Sequence, residues 1–135
     1  VADWNSGIID EFRANEGRVG GRFEGRPILL LHHKGAKTGT ARVNPLAYQP
    51  LSDDSWAIFA SKGGHPTNPD WYYNLVAHPE VEVEIGTDTI DVTAREADGD
   101  ERERIWNKQK ELMPGFGDYE EKTTRRIPVI VLERR

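Results

Sequence analysis

Six short strand-like runs, most of them joined by tight turns, constrain this chain more than any other feature. Residues 27–34 hold the aliphatic run Ile28-Leu29-Leu30-Leu31, Gly35 and Gly39 bracket a turn, and residues 40–49 return. Asp53-Asp54 turns the chain into a third run, residues 55–61. Val81, Val83 and Ile85 alternate with Glu80, Glu82 and Glu84, the period of a half-exposed strand, and residues 86–88 turn it into residues 89–96. Residues 127–132 form the last run. Tight turns join antiparallel strands, whereas parallel strands need long crossovers. Regular strand–helix–strand alternation is missing, which argues against a Rossmann fold. Closing six strands into a small barrel removes the exposed edges. The expected class is therefore mainly β (α+β): a six-stranded antiparallel barrel with flanking helices, in one domain spanning residues 1–135.

The remaining segments read as helices and loops. Residues 3–15 put Trp4, Ile8, Ile9 and Phe12 on one stripe, so residues 1–17 form an N-terminal amphipathic helix that Gly17 ends. Asn68 is expected to cap a short helix with Pro69 at its first position, running to about Ala77. Asp100 followed by Glu103 starts another helix that reaches about Met113. Beyond it, Pro114, Gly115 and Gly117 read as a loop with a helical turn near Tyr119. Pro45 implies a bulge or an unpaired edge in the second strand.

Several functional classes fall away on composition. With 135 residues there is room for one core. The absence of cysteine excludes disulfides, iron–sulfur clusters and thiol nucleophiles, and fits a reducing cytoplasm. No apolar run approaches the ~20 residues that span a bilayer, and no apolar leader begins the chain, so no secretory signal is expected. His32 and His33 are adjacent in a strand and point to opposite faces, and no pair of histidines has helical ligand spacing, so no metal site is expected. Lys37-Thr38 resembles the end of a phosphate-binding loop, but Leu31 and Ala36 occupy the required glycine positions. The net charge of -5 disfavours nucleic acid as a partner. That charge is uneven: residues 18–62 carry seven Lys/Arg against three Asp/Glu, while residues 63–121 carry five against fifteen. A basic segment in an acidic chain points to a small anionic ligand.

The basic segment has an internal pattern. Lys34, Lys37, Thr38 and Arg42 flank the 35–39 turn, where turn amides and a guanidinium fork suit a phosphate or a polycarboxylate; solubilising lysines on an exposed hairpin would give the same spacing. Ala60-Ser61-Lys62-Gly63-Gly64 ends a strand with a hydroxyl, an ammonium and two glycines that let a ligand approach the backbone. Trp71 and Asn74 share a helix face at i, i+3, the first as a wall and the second as a polar contact.

These segments, taken in order, resemble the deazaflavin-dependent nitroreductase family, enzymes of actinobacteria that use coenzyme F420 on a split β-barrel like that of flavin mononucleotide-binding proteins. The likeness runs from Trp4 to Leu132. It is carried by Phe12-Arg13-Ala14-Asn15, Lys37-Thr38-Gly39, Arg42-Val43-Asn44-Pro45-Leu46, Ala60-Ser61-Lys62-Gly63-Gly64, Asn68-Pro69 with Trp71-Tyr72 and Asn74-Leu75, Pro114 with Asp118-Tyr119, and Arg125 with Ile127-Pro128. The resemblance implies a reductase that moves a hydride from the reduced deazaflavin to a small conjugated acceptor. It implies that Lys37, Thr38 and Arg42, helped by Lys34, hold the coenzyme's phosphate. Pro45, Ala60, Ser61, Lys62, Gly63, Trp71 and Asn74 then surround the deazaflavin. Tyr119 and Ser61 are the implied catalytic hydroxyls, and Met113, Phe116 and Tyr119 line the acceptor pocket. Met113, Phe116 and Ala47 replace aromatic groups of nitroimidazole-reducing relatives, so a quinone is the expected acceptor and nitroaromatics are reduced weakly.

Two alternatives stand beside this reading: a flavin mononucleotide oxidoreductase on a similar barrel, and a non-catalytic protein that holds the coenzyme. The acidic balance of residues 1–17 disfavours anionic lipid, so the apolar stripe is expected to pack on the barrel, with peripheral membrane contact left open. The oligomeric state is not legible.

Overall fold

The computed structural model describes residues 4–18, 27–61 and 67–135. Its elements are α1 (Trp4–Ala14), β1 (Ile28–Lys34), β2 (Ala41–Ser52), β3 (Ser55–Phe59), α2 (Asp70–Ala77), β4 (Glu80–Ile85), β5 (Asp88–Glu96), α3 (Gly99–Leu112), α4 (Gly115–Glu121) and β6 (Val129–Arg134). The strands close into a barrel in the order β1-β2-β3-β6-β5-β4, and every neighbouring pair is antiparallel. The six expected strands are all present.

Alternation along each strand sorts the core. Leu29, Leu31, Ile58, Val83, Val92 and Leu132 meet inside the barrel, joined by Trp71 and Leu75 of α2. On the outside, Ile8 and Phe12 of α1 pack on Ile28 and Leu30, so the N-terminal stripe is spent on the barrel wall. Arg13 of α1 adds an ion pair with Glu84 at 2.7 Å, and Glu84 also meets His32. A second outer cluster packs Trp106 of α3 and Phe116 of α4 on Phe59. Among the described residues no helix is long and apolar enough to cross a membrane.

Pro45 of β2 sits where a donor is not needed. The Tyr48 N–H reaches the Pro27 carbonyl, so even-numbered residues of β2 turn their N–H toward β1 and odd-numbered residues turn theirs away. Pro45 therefore lacks its donor on the side facing β3, and β3 pairs with β2 only from Tyr48 onward. The register with β1 runs through Leu30↔Pro45 unbroken, so Pro45 marks an unpaired edge and not a bulge. The irregularity lies further on, between Pro50 and Ser52. Because β2 and β3 separate below Tyr48, the barrel is split there.

Two helices differ from expectation. Pro69, not Asn68, caps α2, because the Asn68 side chain is drawn off to Arg125 at 2.8 Å. The expected single turn near Tyr119 is a full helix, α4. Its glycines are overridden by Phe116, buried against Phe59 (ring centroids 5.5 Å) and Trp106 (6.1 Å), and by Glu120, which accepts from Trp106 Nε1 at 2.6 Å.

The tether of α2 to the barrel gives a titration test. Tyr72 donates to Glu96 of β5 at 2.5 Å, and this bond, with burial second, pushes the phenol up to about 12. The folded value lies above the ordinary one, so the stabilisation is complete below pH ~10 and is lost as pH rises through about 12. An ultraviolet titration should show one tyrosine ionising last, and Tyr72→Phe should remove that step. An unchanged alkaline step in the variant would sink the assignment.

Candidate active site

Hydrogen-bond geometry around the β1–β2 hairpin explains its sequence. Gly35 N–H bonds to Thr40 O and Gly39 N–H to Gly35 O, both at 2.9 Å. Gly39 takes φ +69°, which favours glycine. A Cβ on Gly35 would lie 2.6 Å from the Thr38 hydroxyl, so glycine there makes room for that side chain. Lys34, Lys37 and Arg42 are exposed, and none forms an ion pair among the described residues. Three cations on one hairpin, none of them tied up in an ion pair among the described residues, fit an anionic group, although Lys34 and Arg42 share a cleft with Glu80, Glu82 and Asp91.

A buried polar chain fixes the hairpin to α2. The Ala36 N–H donates to Asn74 Oδ1 at 2.9 Å, Asn74 Nδ2 lies 3.0 Å from His33 Nδ1, and His33 Nε2 lies 2.7 Å from Asn44 Oδ1. The mutually consistent assignment is a neutral imidazole that accepts at Nδ1 and donates at Nε2. Burial, above all, lowers the His33 pKa, with the nearby Arg42 charge acting the same way, so the neutral form is favoured. Asn74 and Trp71 do share one buried face of α2, as expected. Trp71 packs into the barrel core, and both ends of the Asn74 amide are engaged within the protein.

The split supplies the second part. Its β2 side carries Arg42 and Pro45, and its β3 side continues from Phe59 into Ala60 and Ser61. Ala60 and Ser61 are buried, and Arg125 clamps them: it donates to Ala60 O at 3.0 Å, to Ser61 O at 2.7 Å and to Asn68 Oδ1 at 2.8 Å. Lys62 and Gly63 lie outside the described residues.

A third part lies at the other end of β1. A pocket of about 320 Å³ is bounded by Pro27, Tyr48 and Pro50 on one side and by Met113, Phe116 and Tyr119 on the other. It brings together the three residues expected to meet the acceptor. Ser61 does not hydrogen-bond to Tyr119. They are linked indirectly, since Phe59, two residues before Ser61, stacks on Phe116, whose ring is 5.2 Å from that of Tyr119. By strand rise, the hairpin and this pocket stand roughly 20 Å apart. Reading the sequence missed His33, Asn44, Tyr48, Gln109 and the clamping role of Arg125.

Fold and site together define a small split barrel with a cationic hairpin at one end and an apolar, phenol-bearing pocket at the other. The chain matches the F420H(2)-dependent quinone reductase family over residues 7–134 and belongs to that family. It is 41% identical over 128 residues to the F420H(2)-dependent quinone reductase of Mycobacterium tuberculosis strain H37Rv, covering 92% of this chain and 85% of that protein. A solved structure of an F420-H2 dependent reductase is 43% identical, covers 80% of this chain and 95% of its own, and superposes with a TM-score of 0.72. Another, described as a domain-swapped dimer, is 40% identical, covers 93% and 91%, and gives 0.74. The family is thus described by quinone reduction, which makes the nitroreductase wording of the resemblance loose, and the flavin mononucleotide alternative is not needed.

Proposed function

We infer that this protein is an oxidoreductase that reduces a quinone, or another small conjugated carbonyl compound, with reduced F420 as hydride donor. The observation that carries this reading is the cluster of three exposed cations on the β1–β2 hairpin, with a largely apolar pocket at the other end of β1. When bound, reduced F420 supplies a hydride; uptake of that hydride and one proton turns a quinone into a hydroquinone.

The chain's own residues divide the remaining work. Lys37, Arg42 and Thr38, with Lys34 beside them, hold the coenzyme's phosphate and carboxylates. Pro45, Ala60 and Ser61 border the split, where a missing N–H and small side chains let a flat ring approach. Sequence alone assigns Lys62 and Gly63 to the same stretch. Asn74 and Trp71 support that surface from within, by fixing the hairpin and filling the core. Met113 and Phe116 keep water from the acceptor, and Tyr119 holds a phenol proton at its edge. Neither Met113 nor Phe116 offers a hydroxyl to a nitro group, so nitroaromatics are reduced weakly.

The test is a fluorescence titration with oxidised F420, alongside turnover of F420H2 with menadione. Arg42→Ala or Lys37→Ala removes a charged hydrogen bond and should weaken coenzyme binding by roughly 1.5–3 kcal/mol. That is about a 10- to 150-fold rise in Kd. Added salt should weaken the parent protein's binding as well, because the hairpin is exposed. Unchanged affinity in both variants would overturn the assignment of the hairpin.

A further inference from the structure

Within the pocket between β2 and the α3–α4 turn, three side chains carry polar groups: Tyr48, Tyr119 and Gln109. Gln109 is committed elsewhere. It is buried, its carbonyl accepts from Gln49 at 3.3 Å, and its amide nitrogen donates to the Met113 sulfur at 3.2 Å. Gln49 in turn is fixed by its bond to the Ile105 carbonyl at 3.1 Å. This chain holds Met113 in place as a wall and withdraws Gln109 from a ligand. The two phenols remain.

Tyr48 is the better placed of the two. Its ring is half-buried and packs against the barrel core, so strand packing sets where the hydroxyl lies. That hydroxyl has no hydrogen-bond partner among the described residues, although the rest of the pocket wall is largely apolar. Burial also pushes the phenol's ionisation up, so it stays a donor at neutral pH. Tyr119 comes from α4, a different wall of the same pocket. Two donors on two walls suit a flat ring with a carbonyl oxygen at each end.

We propose that Tyr48 donates a hydrogen bond to one carbonyl oxygen of a quinone seated in this pocket, with Tyr119 facing the other. This rests on reading the pocket as the acceptor site. Tyr48 then selects for acceptors that present a hydrogen-bond-accepting oxygen and fixes their orientation; it supplies no electrons and loses no atom.

The experiment measures binding of menadione to the coenzyme-free protein by quenching of tryptophan fluorescence, since Trp106 stacks on the pocket residue Phe116. Methylnaphthalene, the same ring system without carbonyls, is the second probe. In Tyr48→Phe the menadione Kd should rise about 3- to 10-fold, the range of one neutral hydrogen bond. The methylnaphthalene Kd and the F420 Kd should stay unchanged. In the parent protein menadione should bind more tightly than methylnaphthalene, a comparison that stands even if the variant does not fold. Equal menadione affinity in folded Tyr48→Phe, or equal affinity of the parent for the two probes, overturns the role of Tyr48. Turnover of menadione by the parent in that case leaves the acceptor reading intact. If the parent binds F420 but neither binds nor reduces menadione, the acceptor reading itself fails, and this inference fails with it.

Discussion

Asn74→Ala should lower stability by about 2–3 kcal/mol and raise the Kd for F420 about tenfold, although we assign the side chain no contact with the coenzyme. Two native bonds vanish with it, one to the Ala36 N–H and one to His33 Nδ1. His33 is buried, and leaving a buried polar atom without a partner costs about 1–3 kcal/mol. The exposed Ala36 amide recovers a bond to water, so its share is smaller. The binding loss has a different origin. With Ala36 released, the hairpin carrying Lys37 must be ordered when the anionic group binds, and ordering a residue costs about 1–2 kcal/mol. That corresponds to roughly tenfold in affinity. Chemical denaturation and an F420 titration separate the two effects. Asn74→Asp sharpens the test. The carboxylate still accepts from Ala36, but it faces a second acceptor on neutral His33. A proton on the imidazole repairs that clash, so the folded-state pKa of His33 rises in this variant, and its stability deficit should shrink below pH ~6.5 and return above it. The parent behaves oppositely: its His33 pKa is lowered by burial, so the associated stability is present above pH ~6.5 and is lost as pH falls below that value. Parallel pH profiles for the two proteins would disprove the network.

What the sequence made legible follows from the range of the physics involved. Strand existence and facing are local properties. The alternation of Glu80 to Ile85 and the opposite faces of His32 and His33 could be read directly, and the structure places both as expected. Pro45 announced a missing donor, but only the fold could show that the missing donor faces the split. The α4 helix was legible only in part, because Gly115 and Gly117 favour a loop until Phe116 finds Trp106 of the preceding helix and Phe59, which is far off in the chain. The polar chains were not legible at all. Gln49 and Gln109 are separated by 60 residues and Asn74 and His33 by 41, and amides and imidazoles at such separations carry no periodic signal. Tyr48 was hidden for a related reason: a tyrosine in a strand reads as core, and its role depends on which helix turn lies over its edge.

The second large effect is expected at Arg125, where charge and geometry can be separated. Among the described residues the guanidinium reaches three acceptors on two segments, the carbonyls of Ala60 and Ser61 and the side chain of Asn68. A lysine keeps the charge but replaces a planar fork with a single point donor, so Arg125→Lys cannot span all three. Bonds to charged groups are worth about 1.5–3 kcal/mol each, and a lysine with one or two of them leaves a net loss of about 2 kcal/mol. Burial lowers the Arg125 pKa from its ordinary very high value, yet the group stays cationic at any pH the protein tolerates, so the loss should be independent of pH between 5 and 9 (on the order of the ordinary working range). The functional consequence depends on what Ala60 and Ser61 do. If they form the β3 side of the coenzyme cleft, loosening their carbonyls should raise the Kd for F420 about fivefold or more in Arg125→Lys, at unchanged net charge. Arg125→Ala should raise it further and weaken the salt dependence. A lysine variant that is less stable but binds F420 as tightly as the parent would show that the clamp only closes the barrel, and would remove Ala60 and Ser61 from the site.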